Sequence, residues 1–213
     1  MLTRAMSNPP IDPEQVIAGV SNALRNLICA YVPRVATEEA IMFDSPAAFD
    51  SINENRLSLY LYQIEINPEL RNAPPTVSAE QEGANLGSLT LTPAPLAVDL
   101  LYMLVVYGQS YEYEQMIAGS VVGLLDRCGR IPSDFITQTL KDSDNARLAV
   151  VPQPATIHML RDLWAGFPNR AYHLTKLYTV SPVHLPAPSV PVDLVLKSEI
   201  GAVITNPQTP PPR

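Results

Sequence analysis

Most of the residues that usually announce chemistry are scarce in this chain. There are two cysteines in 213 residues, Cys29 and Cys128, with no CxxC spacing. The pattern reads as reduced thiols rather than a disulfide framework or a zinc site. Three histidines, His158, His173 and His184, lie far apart, and no two stand at ligand spacing on one element. No P-loop, GxGxxG, GxSxG, HExxH or EF-hand pattern occurs, so no mechanism-bearing short motif is present.

Charge is also thin, at 16 % of residues against roughly 25 % for an average soluble protein. A sparse charge cover is expected where part of the surface is buried in an assembly. The balance is acidic, with net charge −7, and the 14 Lys and Arg are scattered. Such a chain repels a phosphate backbone, so a nucleic-acid partner is disfavoured and no polybasic membrane anchor is read. The longest apolar stretch, residues 96–106, contains Asp99 and is too short to span a bilayer. The opening MLTRAMSNPPIDPEQ has no apolar core, so no secretory signal is expected. These readings together point away from membrane insertion, cofactors, metals and catalysis.

What the chain does have is strong periodicity, and 22 prolines to punctuate it. A helix is predicted over 14–31, with an apolar stripe of Val16, Val20, Leu24, Leu27, Ile28 and Tyr31. Asp12 is its expected N-cap, Pro13 its first residue and Pro33 its stop. A short strand is expected at 39–46 and a long one at 56–66, RLSLYLYQIEI. Strict alternation along the long strand places Leu57, Leu59 and Leu61 on one face. Tyr60, Tyr62, Ile64 and Ile66 fall on the other.

Residues 73–94 are rich in Pro, Gly, Ser and Thr and read as a long loop with only a weak strand signal at SLTLT. Residues 95–108, PLAVDLLYMLVVYG, read as a central strand buried on both faces. A second helix is expected at 112–128, with Glu112 and Glu114 at its start, Arg127 in its last turn and Gly129 behind it. Then follow a polar stretch, a strand at 147–151, a helix at 157–166 capped by Thr156, and a strand at 171–185. The Pro-rich remainder holds one strand-like island at 192–205.

The order of elements predicts an α/β (α+β) fold, a mixed β-sheet flanked by helices. Three segments are expected: an N-terminal arm (1–12), the α/β domain (13–185) and a Pro-rich C-terminal extension (186–213).

A few polar residues stand out against this background. Asp99 interrupts an apolar strand, so it must be hydrogen-bonded, face an interface or be functional, and a loop or interface contact is the reading preferred. Glu65, Asn67, Glu69, Arg71 and Asn72 crowd the end of the long strand and read as local pairing and turn residues. Glu112 and Glu114 are explained by the helix N-terminus. Trp164 is an anchor for a core or an interface, and Tyr60 and Tyr62 are amphipathic residues suited to an interface.

Four segments resemble one family. RLSLYLYQIEINPELRN is similar to its hydrophobic strand followed by E-N-x-x-L-R-N, with one more residue between the acid and the Asn. PAPLAVDLLYMLVVYG resembles its P-P-L-x-L-x-L-x-Y-L-L-x-x-Y-G strand, and YEYEQMIAGSVVGLL the acidic-start helix after it. MLRDLWAGFPNRAYHLTKLYTVSPVHL resembles its L-x-x-L-W helix and following strand, with Thr175 where Ser is usual. The family is the tail-terminator or cap proteins of phage-tail-like contractile injection systems, and the resemblance spans about residues 14–185.

The resemblance implies a domain like that of contractile-phage tail terminators, assembled as a homo-hexameric ring in the bacterial cytoplasm. That ring would close the distal end of inner tube and sheath, stop polymerisation and anchor the last sheath ring. Its partners would be tube and sheath subunits and a possible second cap paralogue. No catalytic residue, metal or cofactor comes with it. An adaptor that tethers the particle to a membrane or a second cap protein through the Pro-rich arm is the alternative.

Interface candidates are Tyr60, Tyr62, Glu65, Asn67, Arg71, Asn72, Asp99, Trp164, Val192, Leu194 and Leu196. The last three lie in the 192–205 island, which suits a strand exchanged between subunits as well as one folded back on its own domain.

Overall fold

The chain's fold is given by a computed structural model that describes residues 12–48, 54–82, 85–188 and 190–192, the side chains of 78–90 and 190–192 excepted. Helix α1 (Pro13–Tyr31) starts where the Asp12 carboxylate accepts the Glu14 amide at 3.0 Å. It buries Val16, Val20, Ala23, Leu24, Leu27 and Ile28 along one stripe and stops at Val32, ahead of Pro33. Tyr31 leaves that stripe: it is exposed and meets Phe135 edge-on. Helix α2 (Tyr111–Cys128) is capped by Ser110 and closed by Gly129 at φ +58°, a left-handed position suited to glycine.

Five strands form the main sheet in the order β1 (Ile41–Met42), β2 (Arg56–Ile66), β5 (Leu96–Tyr107), β7 (Thr175–Leu185), β6 (Ala149–Pro152). β1 runs parallel to β2, and the other neighbours are antiparallel. β5 lies at the centre, and its even and odd residues enter two different cores. Val98, Leu100, Tyr102, Leu104 and Val106 pack with α1 and α2. Met103, Val105 and Tyr107 pack with Trp164 and the rest of helix α4 (Ile157–Ala165). This is a helix–sheet–helix sandwich in which each buried Leu or Val contributes roughly 1.5–3 kcal/mol.

Several expectations are corrected. The strand expected at 39–46 shrinks to the two residues of β1. Single 3-10 turns at Glu38–Ala40 and Pro46–Ala48 bend the chain away on either side. The polar stretch before β6 holds a 3-10 turn (Ser133–Phe135) and a short helix α3 (Gln138–Asp142) capped by Thr137. β7 begins at Thr175 rather than 171 because His173 is drawn aside to the Glu114 carboxylate, 2.9 Å away.

The stretch 73–94 is not a loop. It contains β3 (Thr76–Glu82) and β4 (Asn85–Thr92), an antiparallel hairpin joined on its β4 side by β8 (Val190–Val192). Only TVSA and SLTLT alternate with period two, the ladder slips between Ala79 and Gln81, and small and polar residues hide both strands by composition. The order β3-β4-β8 repeats β2-β5-β7, because β3 follows β2, β4 leads into β5 and β8 follows β7. Three central strands thus continue into a second, three-stranded sheet, called the arm below.

Candidate assembly interface at the root of the arm

β2 answers differently at its two ends. Leu57 and Leu59 are buried under the α1–α2 layer, with Leu61 packed against the same core. On the opposite face Tyr60 and Tyr62 meet the α4 core. Tyr60 stands edge-on to Phe167 at 6.1 Å, and the Tyr62 hydroxyl donates to Gln153 Oε1 at 2.9 Å. Trp164 is 8 % exposed, and its indole N–H donates to Thr175 Oγ1 at 3.0 Å. The second face of the strand is therefore covered by this chain's own helix, and Tyr60, Tyr62 and Trp164 come together beneath it.

Beyond Leu61 the ladder with β5 slips by one residue: Leu61 faces Tyr102, and Gln63 faces Leu101. One extra residue in a strand reverses which side chains point where. Ile64 and Ile66, placed by strict alternation on the tyrosine face, instead sit opposite Leu100 and Val98 on the leucine face. There the helices no longer cover them, and they are 49 % and 52 % exposed. Leu96 on β5 shares that face by parity and is 43 % exposed. The three make an uncovered apolar ledge where the main sheet becomes the arm.

On the other face of the same place lies a polar cluster. Asn67 binds the turn after β2: its amide oxygen accepts from the Glu69 and Leu70 amides at 3.1 Å each. Its Nδ2 donates to Asp99 Oδ1 at 3.1 Å, and its own backbone N–H donates to the Ala97 carbonyl. Ser181 Oγ donates to the same Asp99 oxygen at 2.5 Å. Ser181 lies in a second irregularity, where β7 sets two residues, Ser181 and Pro182, against the single Asp99 of β5. Asp99 thus ties together β2's terminal turn, β5 and the bulge of β7.

Glu65 stands directly across from Asp99, a like-charge pairing that is unfavourable in a sheet. It is relieved by the donors on Asp99 and by Gln63 Nε2, which donates to Glu65 Oε1 at 2.7 Å. This accounts for the odd charge in β5: it is a hydrogen-bonded joint.

The other sequence candidates fall as follows. Glu65, Asn67 and Asp99 meet at the joint, and Arg71 and Asn72 lie exposed in the turn leading to β3. Val192 ends β8, paired with Leu89, whereas Leu194 and Leu196 lie outside the described residues. Two features were missed: the ledge, and the buried Glu114 that holds His173 against Tyr107. The signal for the ledge was present as a phase change in the sequence. Aliphatic residues sit at 57, 59 and 61, then at 64 and 66, with Gln63 at the break.

Chemically the arrangement suits pairing and packing. Among the described residues no group of three or more His, Cys, Asp or Glu is placed to hold a metal ion. No described helix is long and apolar enough to cross a membrane.

A family profile, that of the Pvc16 N-terminal domain, matches residues 19–195. A comparison with curated protein sequences finds no match. Among solved structures, the fold is similar to the sheath/tube terminator of an extracellular contractile injection system, PVC, in its extended state. The TM-score is 0.53 at 21 % identity, over 87 % of this chain and 65 % of that one. It is also similar to the tube-terminating cap of the anti-feeding prophage, with TM-score 0.56 at 21 % identity, over 86 % of this chain and 60 % of that one. The chain spans less than two thirds of either solved relative, so the likeness is one of fold: a mixed sheet flanked by helices.

Proposed function

Because this chain belongs to the Pvc16 N-terminal domain family, we propose that it is a structural cap of a contractile injection particle. In this role it closes the distal end of tube and sheath, stops their polymerisation and anchors the last sheath ring. It performs no catalysis. The observation that carries the reading is the arm: three strands of a well-packed sheet lead into a second, three-stranded sheet, with an apolar ledge at its root.

A growing strand-linked lattice presents open edges at its last ring, and an open edge templates further pairing. A terminator must satisfy those edges by β-augmentation without offering the same ones again. Here the arm supplies strands for that contact, and the joint of Asn67, Asp99 and Ser181 sets where it leaves the domain.

Tube and sheath subunits are the partners this reading names, with a second cap paralogue as a further one. Glu65, Asn67, Arg71 and Asn72 at the arm root, with the ledge beside them, are its contact residues. The family likeness of the fold supports a homo-hexameric ring assembled in the bacterial cytoplasm. In this reading residues 13–185 are the ring-forming domain, flanked by an arm at 1–12 and an extension at 186–213. Electron microscopy of particles made without this chain tests it: over-length or open-ended particles are expected, and normal-length, closed particles would overturn it.

A further inference from the structure

The ledge has a counterpart at the other end of the sheet. β2 runs eleven residues from Arg56 to Ile66, so its ends lie roughly 33 Å apart at about 3.3 Å per residue. At the Arg56 end β2 pairs with Tyr107, and α2 begins four residues later at Tyr111. A surface cleft there is lined in part by Arg34, Asn55 and Arg56. The Arg34 guanidinium lies against α2, 5.8 Å from the centre of the Tyr113 ring and 3.8 Å from Met116 Sδ. Tyr113 and Met116 are both exposed.

Arg25, Arg56 and Arg161 each hold a carboxylate within 3.2 Å, whereas Arg34 holds none among the described residues. A cation laid on an aromatic ring and a thioether, with no acid on it, is half of an ion pair. Arg, Tyr and Met are also residue types enriched in protein interfaces. The ledge supplies the matching half. Ile64, Ile66 and Leu96 are exposed on the face that α1 and α2 cover elsewhere. In the turn just beyond, Leu70 is exposed, and the Glu69 carboxylate has no partner among the described residues.

We propose that these two ends join between copies of this chain. Tyr113 and Met116 of one copy cover Ile64, Ile66 and Leu96 of the next, and Arg34 pairs with Glu69. Within one chain the length of the sheet keeps the two surfaces apart, so the contact is made only from copy to copy. The neighbour's α2 thereby extends the helix layer where the chain's own layer stops. A contact between two different surfaces is heterologous, so each copy keeps one open surface until the series closes into a ring. The inference deepens the ring of the proposed function and rests on that reading for closure alone.

Sedimentation velocity of the full chain tests it. Association that grows with concentration up to about 1 mM, the range of weak contacts, is expected. Ile66→Asp and Met116→Asp lie at opposite ends, and each alone is expected to hold the chain as single copies. Their equimolar mixture keeps one intact surface of each kind, so it is expected to form dimers and nothing larger. Arg34→Glu is expected to weaken association on the order of tenfold, and Glu69→Arg in the same chain to recover it. All four positions are exposed, so thermal unfolding should show each variant folded.

A chain that stays single at every concentration overturns the contact, as does a mixture that forms no dimer. A loss in Arg34→Glu that Glu69→Arg leaves in place does so too. The two readings fail separately. Closed particles of normal length made without this chain overturn the cap and leave the contact standing, whereas a chain that never self-associates overturns the contact alone.

Discussion

The first half of β2 and its last four residues belong to one strand and behave as two materials. Up to Leu61 the strand is covered on both faces, by α1 and α2 on one side and α4 on the other. From Ile64 the same leucine face, continued by isoleucines, is bare. Nothing in residue type distinguishes Leu59 from Ile66. What differs is the one-residue slip at Leu61–Gln63 and the end of the helix layer. Burial depends on where the cover stops, so apolar character on its own does not tell core from contact surface.

The largest break in that comparison should come from the covered half. Leu104→Ala removes a fully buried side chain between helix layer and sheet. It is expected to cost about 3 kcal/mol and to lower Tm by roughly 6–12 °C, measured by thermal unfolding. A cost below about 1 kcal/mol would mean that the layer is far looser than described.

Next comes the alkaline limit of the covered half. Burial pushes the phenol of Tyr107 up to about 12 and raises that of Tyr102 further, the latter despite its hydrogen bond with Ser21. The native state therefore holds these protons longer than the unfolded chain, whose tyrosines titrate near 10. The stability tied to them is whole below pH about 10 and is lost as pH climbs toward 12. Urea midpoints at pH 9, 10 and 11 should fall in that order, less steeply in Tyr107→Phe.

At the divide, Asp99→Ala strips the acceptor from Asn67 and Ser181. A loss of about 1–2 kcal/mol is expected, with faster hydrogen exchange in the turn after β2 while the helices stay protected. Uniform loss of protection would show that Asp99 serves the whole domain and not the joint.

The smallest effect on stability belongs to the bare half. Ile66→Ser should shift unfolding by no more than about 0.5 kcal/mol in the isolated chain, because little burial is lost. A cost near that of Leu104→Ala would sink the comparison.

Much of this architecture was readable from residue patterns. The spacing of Val16, Val20, Leu24 and Leu27, and the unbroken apolar run of β5, place two elements to within a residue or two. Capping at Asp12, Ser110 and Thr156 shows why helix starts are legible: each offers a side-chain oxygen to its own backbone. The arm was hidden because strands of a small separate sheet can pair through their backbones with few large apolar residues. The ledge was assigned to the wrong face because a period-two reading has no place for a bulge. His173 and Glu114 meet across 59 positions of sequence, and no local pattern encodes such a contact.

The central claim is that the bare end of β2 is a surface kept for assembly. Ile64→Asp with Ile66→Asp, supplied in place of the natural chain, tests it through electron microscopy of the particles and thermal unfolding of the isolated protein. The account predicts a folded chain with nearly unchanged Tm that leaves particles over-length or open-ended. Closed particles of normal length built with that variant would contradict it.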